Sequence, residues 1–140
     1  MNQIIRLEAV NLHKCFSFWD FERNMEKRKR IENDIVSGKR TMFVYVYAEE
    51  YVAGVSLSDN EEDTCLISYL AVEKEYRNKG IGTSLIKFVC NYAMSHDSKR
   101  VLLEVDFENM GAKKLYQKMG FSEEKISPQG RVRMVKYLEE

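Results

Sequence analysis

Residues 72–83, V-E-K-E-Y-R-N-K-G-I-G-T, are the most informative segment of this 140-residue chain. They connect an apolar run at 65–72 (CLISYLAV) to a segment at 80–94 whose apolar side chains recur at helical spacing. A second apolar run, VLLEV at 101–105, follows. Strand, helix and strand in this order predict a βαβ unit, in which two parallel strands are joined by a right-handed crossover.

The sequence on both sides of this unit predicts antiparallel strands. Runs of β-branched and aromatic residues at 42–47 and 51–57 are separated by three residues, which is typical of a hairpin. The polar stretch at 58–63 is expected to form the next turn. At the end of the chain, two predicted strands at 121–126 and 131–138 flank Ser-Pro-Gln-Gly, which suits a type I turn.

Three further segments complete the predicted secondary structure. Residues 4–10 alternate weakly, which favours a first strand, and residues 18–37 have helical spacing that fits one long helix or two short ones. A short helix ending at Gly120 is indicated by the spacing of its apolar residues, which are Ala112, Leu115, Tyr116 and Met119. We therefore predict an α+β fold for residues 1–140 as a single domain, with a mixed, mostly antiparallel sheet around a central parallel βαβ unit.

Composition narrows the possible functions. Lysine plus arginine balance aspartate plus glutamate at 22 each, which argues against nucleic acid as a partner, and the basic run at 27–30 is flanked by acids as on a solvated helix face. No apolar stretch is long enough to span a membrane, and no signal peptide is recognisable. The three cysteines (Cys15, Cys65 and Cys90) lack metal-ligand spacing and are interpreted as free thiols, so we expect a cytoplasmic protein that needs no metal.

The segment 72–83 has the chemistry of an anion-binding turn. Gly80 and Gly82 allow the backbone to approach a ligand closely, and the first turn of a helix offers unpaired N–H groups to a pyrophosphate. The alternative is that both glycines only permit a tight turn. A dinucleotide-binding fingerprint fails because Leu85 stands where a third glycine is needed, and the order of residues excludes a P-loop.

Two motifs together resemble the GNAT family of N-acetyltransferases over residues 65–121. The first is Arg77-x-x-Gly80-x-Gly82, which begins five residues beyond Val72. The second motif is Asn109-x-x-Ala112-x-x-x-Tyr116-x-x-x-Gly120-Phe121. The resemblance implies a GNAT-like fold in which helices cover both faces of the sheet and the two parallel strands splay apart to hold acetyl-coenzyme A.

The resemblance also assigns residues to the cofactor. Backbone amides from Arg77 to Thr83 would hold the pyrophosphate, and the pantetheine would lie beside Leu70 to Val72. The assigned cofactor-binding residues are Leu70, Ala71, Val72, Arg77, Asn78, Lys79, Gly80, Ile81, Gly82, Thr83, Asn109 and Tyr116.

Tyr116 and Glu104 are the candidate catalytic residues. In the family the counterpart of Tyr116 commonly serves as general acid, and a phenol with a pKa of about 10 can protonate a departing thiolate with a pKa of about 8.5. The alternative for Tyr116 is a core aromatic residue. Glu104 lies in an apolar run, where burial would raise its pKa towards that of a general base. Glu104 and Tyr116 together resemble the acetyltransferases that modify protein N-termini, and the alternative for Glu104 is an outward-facing or salt-bridged strand residue.

These observations predict an acetyl-CoA-dependent N-acetyltransferase that transfers an acetyl group to a primary amine of a small molecule or peptide. Transfer would be direct, within a ternary complex, and the amide of Val72 would stabilise the oxyanion. The alternative is a non-catalytic acyl-CoA-binding regulatory or sensor domain. The aromatic residues within 16–21 suggest a wall of the acceptor site or ordinary packing of a helix on the sheet, and acidic residues at 49–50 and 61–63 suggest attraction of a cationic amine. A homodimer is consistent with the resemblance.

Overall fold

A computed structural model describes residues 2–138 and contains a seven-stranded sheet with the order β1-β2-β3-β4-β5-β7-β6. The strands are β1 (Gln3–Arg6), β2 (Arg40–Tyr47), β3 (Glu50–Glu61), β4 (Thr64–Val72), β5 (Arg100–Asp106), β6 (Ser122–Ile126) and β7 (Arg131–Tyr137). The helices are α1 (Met25–Ser37), α2 (Ile81–Ser95) and α3 (Met110–Lys118), with 3₁₀ segments at Ala9–Cys15, Phe21–Arg23 and Lys74–Tyr76.

The predicted βαβ unit is confirmed: β4 and β5 are parallel, and every other strand pairing in the described chain is antiparallel. The parallel pairing is short, joining only Thr64–Leu66 to Arg100–Leu102. Beyond these residues β4 stays with β3 and β5 stays with β7. The sheet is therefore divided into two halves that separate towards the C-terminal ends of β4 and β5.

Helices cover both faces of the sheet, as predicted. Helix α2 packs on one face through buried residues spaced three and four apart, and α3 contributes Tyr116 to the same cluster. Helix α1 and the 3₁₀ segments Ala9–Cys15 and Phe21–Arg23 cover the other face. The cluster on that second face consists of Leu7, Leu12, Cys15, Trp19, Phe21, Ile31, Met42, Val44 and Val46.

The helical region before β2 proves to be a short 3₁₀ turn followed by one helix. Asn24 ends the turn and caps α1, since its Oδ1 accepts a hydrogen bond from the amide of Lys27 at 3.0 Å. Gly38 ends α1 with a φ of 83°, the left-handed conformation that is common just after a helix. The basic run lies on the partly solvated surface of α1, where Arg28 contacts Glu32 at 3.6 Å.

Several predicted boundaries are wrong. The first strand ends at Arg6, because the chain then turns into a 3₁₀ segment that buries Leu12 and Cys15. The stretch 58–63 is mostly strand, because its alternating backbone groups pair with β4 and only Glu62 and Asp63 form the turn. The predicted apolar face of α3 also differs, since Leu115 is exposed while Lys113 is buried against Glu123.

Both predicted hairpins are confirmed. Ala48 and Glu49 have positive φ values of 49° and 70°, which is the geometry of a two-residue type I′ turn between β2 and β3. The last hairpin turns at residues 127–130, where the amide of Gly130 donates to the carbonyl of Ser127 at 3.0 Å.

Candidate active site

A cleft of about 410 Å³ opens where β4 and β5 separate. Its position follows from the short parallel pairing, which leaves the strand ends without a common partner. The cleft is lined by Leu66, Ile67, Ser68, Tyr69, Leu70, Leu103, Glu104, Tyr116 and Arg131. Both candidate catalytic residues predicted from the sequence are therefore in one cavity.

Strand β4 contains a β-bulge at the edge of this cleft. Tyr69 and Leu70 together oppose the single residue Val55 of β3. Tyr69 has a φ of 54°, in the left-handed region that residues other than glycine rarely occupy. An extra residue in one strand reverses, for the rest of that strand, which backbone groups face the neighbour.

Beyond the bulge, the backbone polar groups of Leu70 and Val72 face the gap between β4 and β5. The amide of Glu73 donates to the carbonyl of Val52 at 2.8 Å, which makes Val72 part of a non-hydrogen-bonded pair with β3. The N–H and C=O groups of Val72 and Leu70 therefore point away from β3. Because β5 pairs with β4 only up to Leu66, these groups have no strand beside them in the described chain.

Arg77 connects the loop to the end of β4. Its side-chain Nε donates to the carbonyl of Val72 at 2.9 Å. Its own amide donates to the carbonyl of Lys74 at 3.3 Å and is therefore engaged within the loop. The 3₁₀ turn before Arg77 thus engages this donor, and a role of the Arg77 amide in holding the pyrophosphate stays a prediction.

The next amides are arranged as an anion-binding turn. Asn78 and Gly80 both have positive φ values, 63° and 82°, which turn successive N–H groups to one side. The first hydrogen bond that returns from α2 is from the amide of Ser84 to the carbonyl of Gly80. Within residues 2–138 the amides of residues 78–83 have no hydrogen-bond acceptor, as expected at a helix N-terminus open to a ligand.

Tyr116 reaches the cleft from the face covered by α2 and α3. Its ring packs against Phe121 with 5.8 Å between ring centroids. Burial raises the pKa of the Tyr116 hydroxyl above its ordinary value of 10.0. The phenol is therefore protonated at neutral pH and able to act as a proton donor.

Glu104 reaches the cleft from the opposite face, because its neighbours Leu103 and Val105 point into the core beside Tyr116. The expectation that Glu104 is buried is wrong: its side chain is 39% exposed, and Oε2 lies 3.5 Å from Nη2 of Arg133. The cause is the pairing of β5 with β7, which places Arg133 directly opposite Glu104. The salt-bridged alternative is thus the one found, although Glu104 still lines the cleft.

Asn109 lies outside the cleft. Its side chain caps α3 by accepting a hydrogen bond from the amide of Ala112 at 3.1 Å. It borders a neighbouring cavity of about 540 Å³ formed by the loops after β5 and before β7. The second sequence motif therefore includes a residue whose visible role is to begin the helix that carries Tyr116.

The aromatic residues before α1 are mostly core. Trp19 and Phe21 are buried, while Phe16 and Phe18 border a shallow cavity of about 270 Å³ at the surface. Trp19 also touches the site, because its indole Nε1 donates to the carbonyl of Tyr69 at 2.7 Å. Sequence reasoning missed this contact, as it missed the position of Arg131 in the cleft. Gly54 was the available signal for the contact between Trp19 and Tyr69, because a glycine inside a strand marks a place where another group approaches the backbone closely.

The comparisons agree with this geometry. The model of the Acetyltransferase (GNAT) family matches residues 7–121, which is most of the chain. This protein therefore belongs to the GNAT acetyltransferase family, as the two sequence motifs predicted. Among residues 2–138, no helix has the length and apolar character needed to cross a bilayer.

Similar proteins include several acetyltransferases. N-alpha-acetyltransferase 30 of Xenopus laevis is 42% identical over 59 residues, which is 42% of this chain and 22% of that protein. Streptothricin acetyltransferase of Escherichia coli is 32% identical over 74 residues, which is 53% of this chain and 42% of that protein. The match thus spans less than half the length of either relative.

Solved structures share the fold over the full length. The ribosomal-protein-S18-alanine N-acetyltransferase of Escherichia coli has a TM-score of 0.82 at 18% identity, covering 100% of this chain and 96% of that one. The PaiA N-acetyltransferase of Thermoplasma acidophilum, solved in complex with coenzyme A, has a TM-score of 0.83 at 16% identity and covers 99% of both chains.

Proposed function

We propose that this protein transfers the acetyl group of acetyl-coenzyme A to a primary amine by direct attack within a ternary complex. The observation that carries the proposal is the cleft between β4 and β5, which Tyr116 and Glu104 enter from opposite faces of the sheet. A thioester lying in this cleft has a proton donor on one side and a carboxylate on the other.

The cofactor is proposed to bind along the open edge of β4. The free amides of residues 78–83 and the positive end of α2 suit the pyrophosphate. The amide groups of the pantetheine arm suit the outward-facing N–H and C=O groups of Leu70 and the C=O group of Val72, which leaves the Val72 amide for the oxyanion. The backbone N–H and C=O groups of Ala71 face β3. Ala71 therefore supplies packing and no hydrogen bonds to the cofactor. Asn109 contributes by positioning α3, and a contact with the cofactor remains part of the proposal.

The reaction is proposed to run through one tetrahedral intermediate. The neutral amine attacks the thioester carbonyl carbon, and the amide of Val72 stabilises the oxyanion. The C–S bond then breaks, and the departing thiolate takes the proton of Tyr116. The proton lost by the amine passes to Glu104, directly or through water, since the carboxylate is solvent-accessible.

Direct transfer is favoured over a cysteine-bound acyl intermediate. None of the three cysteines borders the cleft, and all three are buried. Burial raises the pKa of Cys15 to about 12, and it also raises the pKa of Cys65 and Cys90. Thiols that stay protonated are poor nucleophiles, so the amine itself is the group that attacks.

The acceptor is proposed to approach from the face that carries Glu104, as a primary amine of a peptide N-terminus or of a small molecule. The Glu104 and Tyr116 pair resembles that of acetyltransferases acting on protein N-termini. A role of the exposed acids at 49–50 and 61–63 in attracting cationic amines remains a prediction. The cytoplasmic location and the homodimer also remain predictions.

The first test is thermal unfolding with and without acetyl-CoA, with NAD and ATP as controls. A ligand at 100 times its Kd adds about 2.7 kcal/mol to the free energy of unfolding, which shifts the midpoint by several degrees. A shift with acetyl-CoA alone is expected, followed by thiol release in the presence of peptides with free, but not blocked, N-termini or of small polyamines. A shift without thiol release for any amine would instead support the acyl-CoA-binding sensor, and no shift would refute the cofactor site.

A further inference from the structure

We infer that Trp19 is a positioning residue for the cofactor arm: its indole holds the bulge of β4 in the conformation that turns Leu70 and Val72 towards the cleft. This inference rests on the proposed function, because the effect is read out as binding of acetyl-CoA. Trp19 lies in the segment between the first 3₁₀ segment and α1, about fifty positions before the bulge in sequence.

The bulge of β4 needs support from contacts outside the strand. Tyr69 has a left-handed φ of 54°, and a bulky side chain makes this conformation unfavourable unless other contacts compensate. A glycine at this point of a bulge would avoid the strain, but the sequence has a tyrosine. The strand would relax to a regular register if nothing opposed it.

Trp19 supplies this support through a specific hydrogen bond. The indole N–H donates to the carbonyl of Tyr69 at 2.7 Å, a short hydrogen bond to the residue that carries the strain. The ring of Tyr69 is held in addition by Phe21, with 5.5 Å between ring centroids in an edge-to-face arrangement. Both partners come from the same segment, so this segment fixes the bulge by two contacts.

The indole fits in this place only because β3 has a glycine, Gly54, beneath it. A Cβ at Gly54 would lie 2.5 Å from one indole ring carbon of Trp19 and 2.6 Å from another. Gly54 pairs with Ala71, the residue that follows the bulge. The indole therefore lies across β3 and β4 at the bulge, and Gly54 is the position that admits it.

The bulge determines which backbone groups of β4 face the cofactor arm. Without the extra residue, strand alternation would turn the polar groups of Leu70 and Val72 towards β3, and Ala71 would face the gap instead. The pantetheine arm would then lose its backbone partners. The free amides of residues 78–83 do not depend on the bulge, so a ligand that binds only there would be unaffected.

The test compares two ligands on two matched variants. Trp19→Phe keeps an aromatic ring in the core but removes the N–H donor, and Ile31→Val alters the same core cluster without touching the bulge. Titration calorimetry measures binding of acetyl-CoA, which carries the pantetheine arm, and of adenosine 3′-phosphate 5′-diphosphate, which keeps the pyrophosphate but lacks the arm. We expect Trp19→Phe to weaken acetyl-CoA about tenfold, the scale of one lost hydrogen bond, with binding of the arm-less nucleotide unchanged. Ile31→Val should change neither.

Gly54→Ala is a third variant, which displaces the indole while leaving the tryptophan in place. It should give the same selective loss of acetyl-CoA affinity. The inference is overturned if folded Trp19→Phe binds acetyl-CoA as tightly as wild type, or if it loses both ligands equally. Failure of wild-type protein to bind acetyl-CoA would instead refute the cofactor site itself.

Discussion

Replacing Tyr116 by phenylalanine tests the assignment of the proton donor most directly. The change removes one oxygen and keeps the ring that packs against Phe121. Within the described residues the Tyr116 hydroxyl has no protein hydrogen-bond partner, so the variant leaves no partner unsatisfied. Stability should therefore change little, and a loss of activity can be attributed to the chemistry.

The expected loss of kcat follows from the two acids involved. A positioned general acid contributes about 10²-fold to 10⁴-fold, and the lower end applies here because a thiolate leaving group with a pKa of about 8.5 is already fairly stable. We expect kcat to fall about 10²-fold, equivalent to about 2.7 kcal/mol in the activation barrier. The Kd for acetyl-CoA should be unchanged.

The pH profile provides a second readout. Burial raises the pKa of Tyr116 above 10.0, so the phenol stays protonated until the pH exceeds the ordinary range of tyrosine. The donor in the wild type is therefore lost only at strongly alkaline pH. The assay is thiol release under saturating acetyl-CoA, with Tyr92→Phe on α2, outside the cleft, as the matched control. A Tyr116→Phe variant that retains more than a third of wild-type kcat would refute the assignment.

Three further predictions concern Glu104, Asn109 and Cys15. Glu104→Gln should lower kcat by about 10²-fold with unchanged acetyl-CoA affinity, measured by thiol release and calorimetry. A normal kcat would show that another group acts as the general base. Asn109→Ala should lower the free energy of unfolding by about 1 kcal/mol through loss of the α3 cap, measured by denaturant titration; no change would contradict the capping role. Burial raises the pKa of Cys15 from 9.0 to about 12, so this thiol contributes stability below pH 9 that is lost as the pH rises towards 12. In Cys15→Ala the free energy of unfolding should therefore depend less on pH in the alkaline range.

The central part of the fold was predictable because local patterns and the required connection agree there. A buried strand, a glycine turn and an amphipathic helix admit essentially one arrangement, and the structure confirms it with Gly80 at a φ of 82°. The ends of the strands outside this unit were harder to predict from the sequence. The polar residues of 58–61 look like a turn, but β4 supplies hydrogen-bond partners that no local pattern reveals.

The site was only partly predictable for the same reason. Tyr116 and Glu104 were found from motif and position, but the environment of Glu104 depends on Arg133, which is brought opposite by a pairing 29 residues away. The contact between Trp19 and Tyr69 depends on an even longer separation of 50 residues. Such contacts are set by tertiary packing, so they leave no periodic signal in the sequence.

The shortness of the β4–β5 pairing has a consequence for how the molecule holds together. Three residue pairs connect the half of the sheet containing β1 to β4 with the half containing β5 to β7. In the proposed complex the pantetheine arm occupies the gap beyond them and takes hydrogen bonds that a neighbouring strand would otherwise take. The cofactor then behaves as an additional strand of the sheet. Its binding should slow hydrogen exchange at Leu70 and Val72 and make the two halves unfold as one unit.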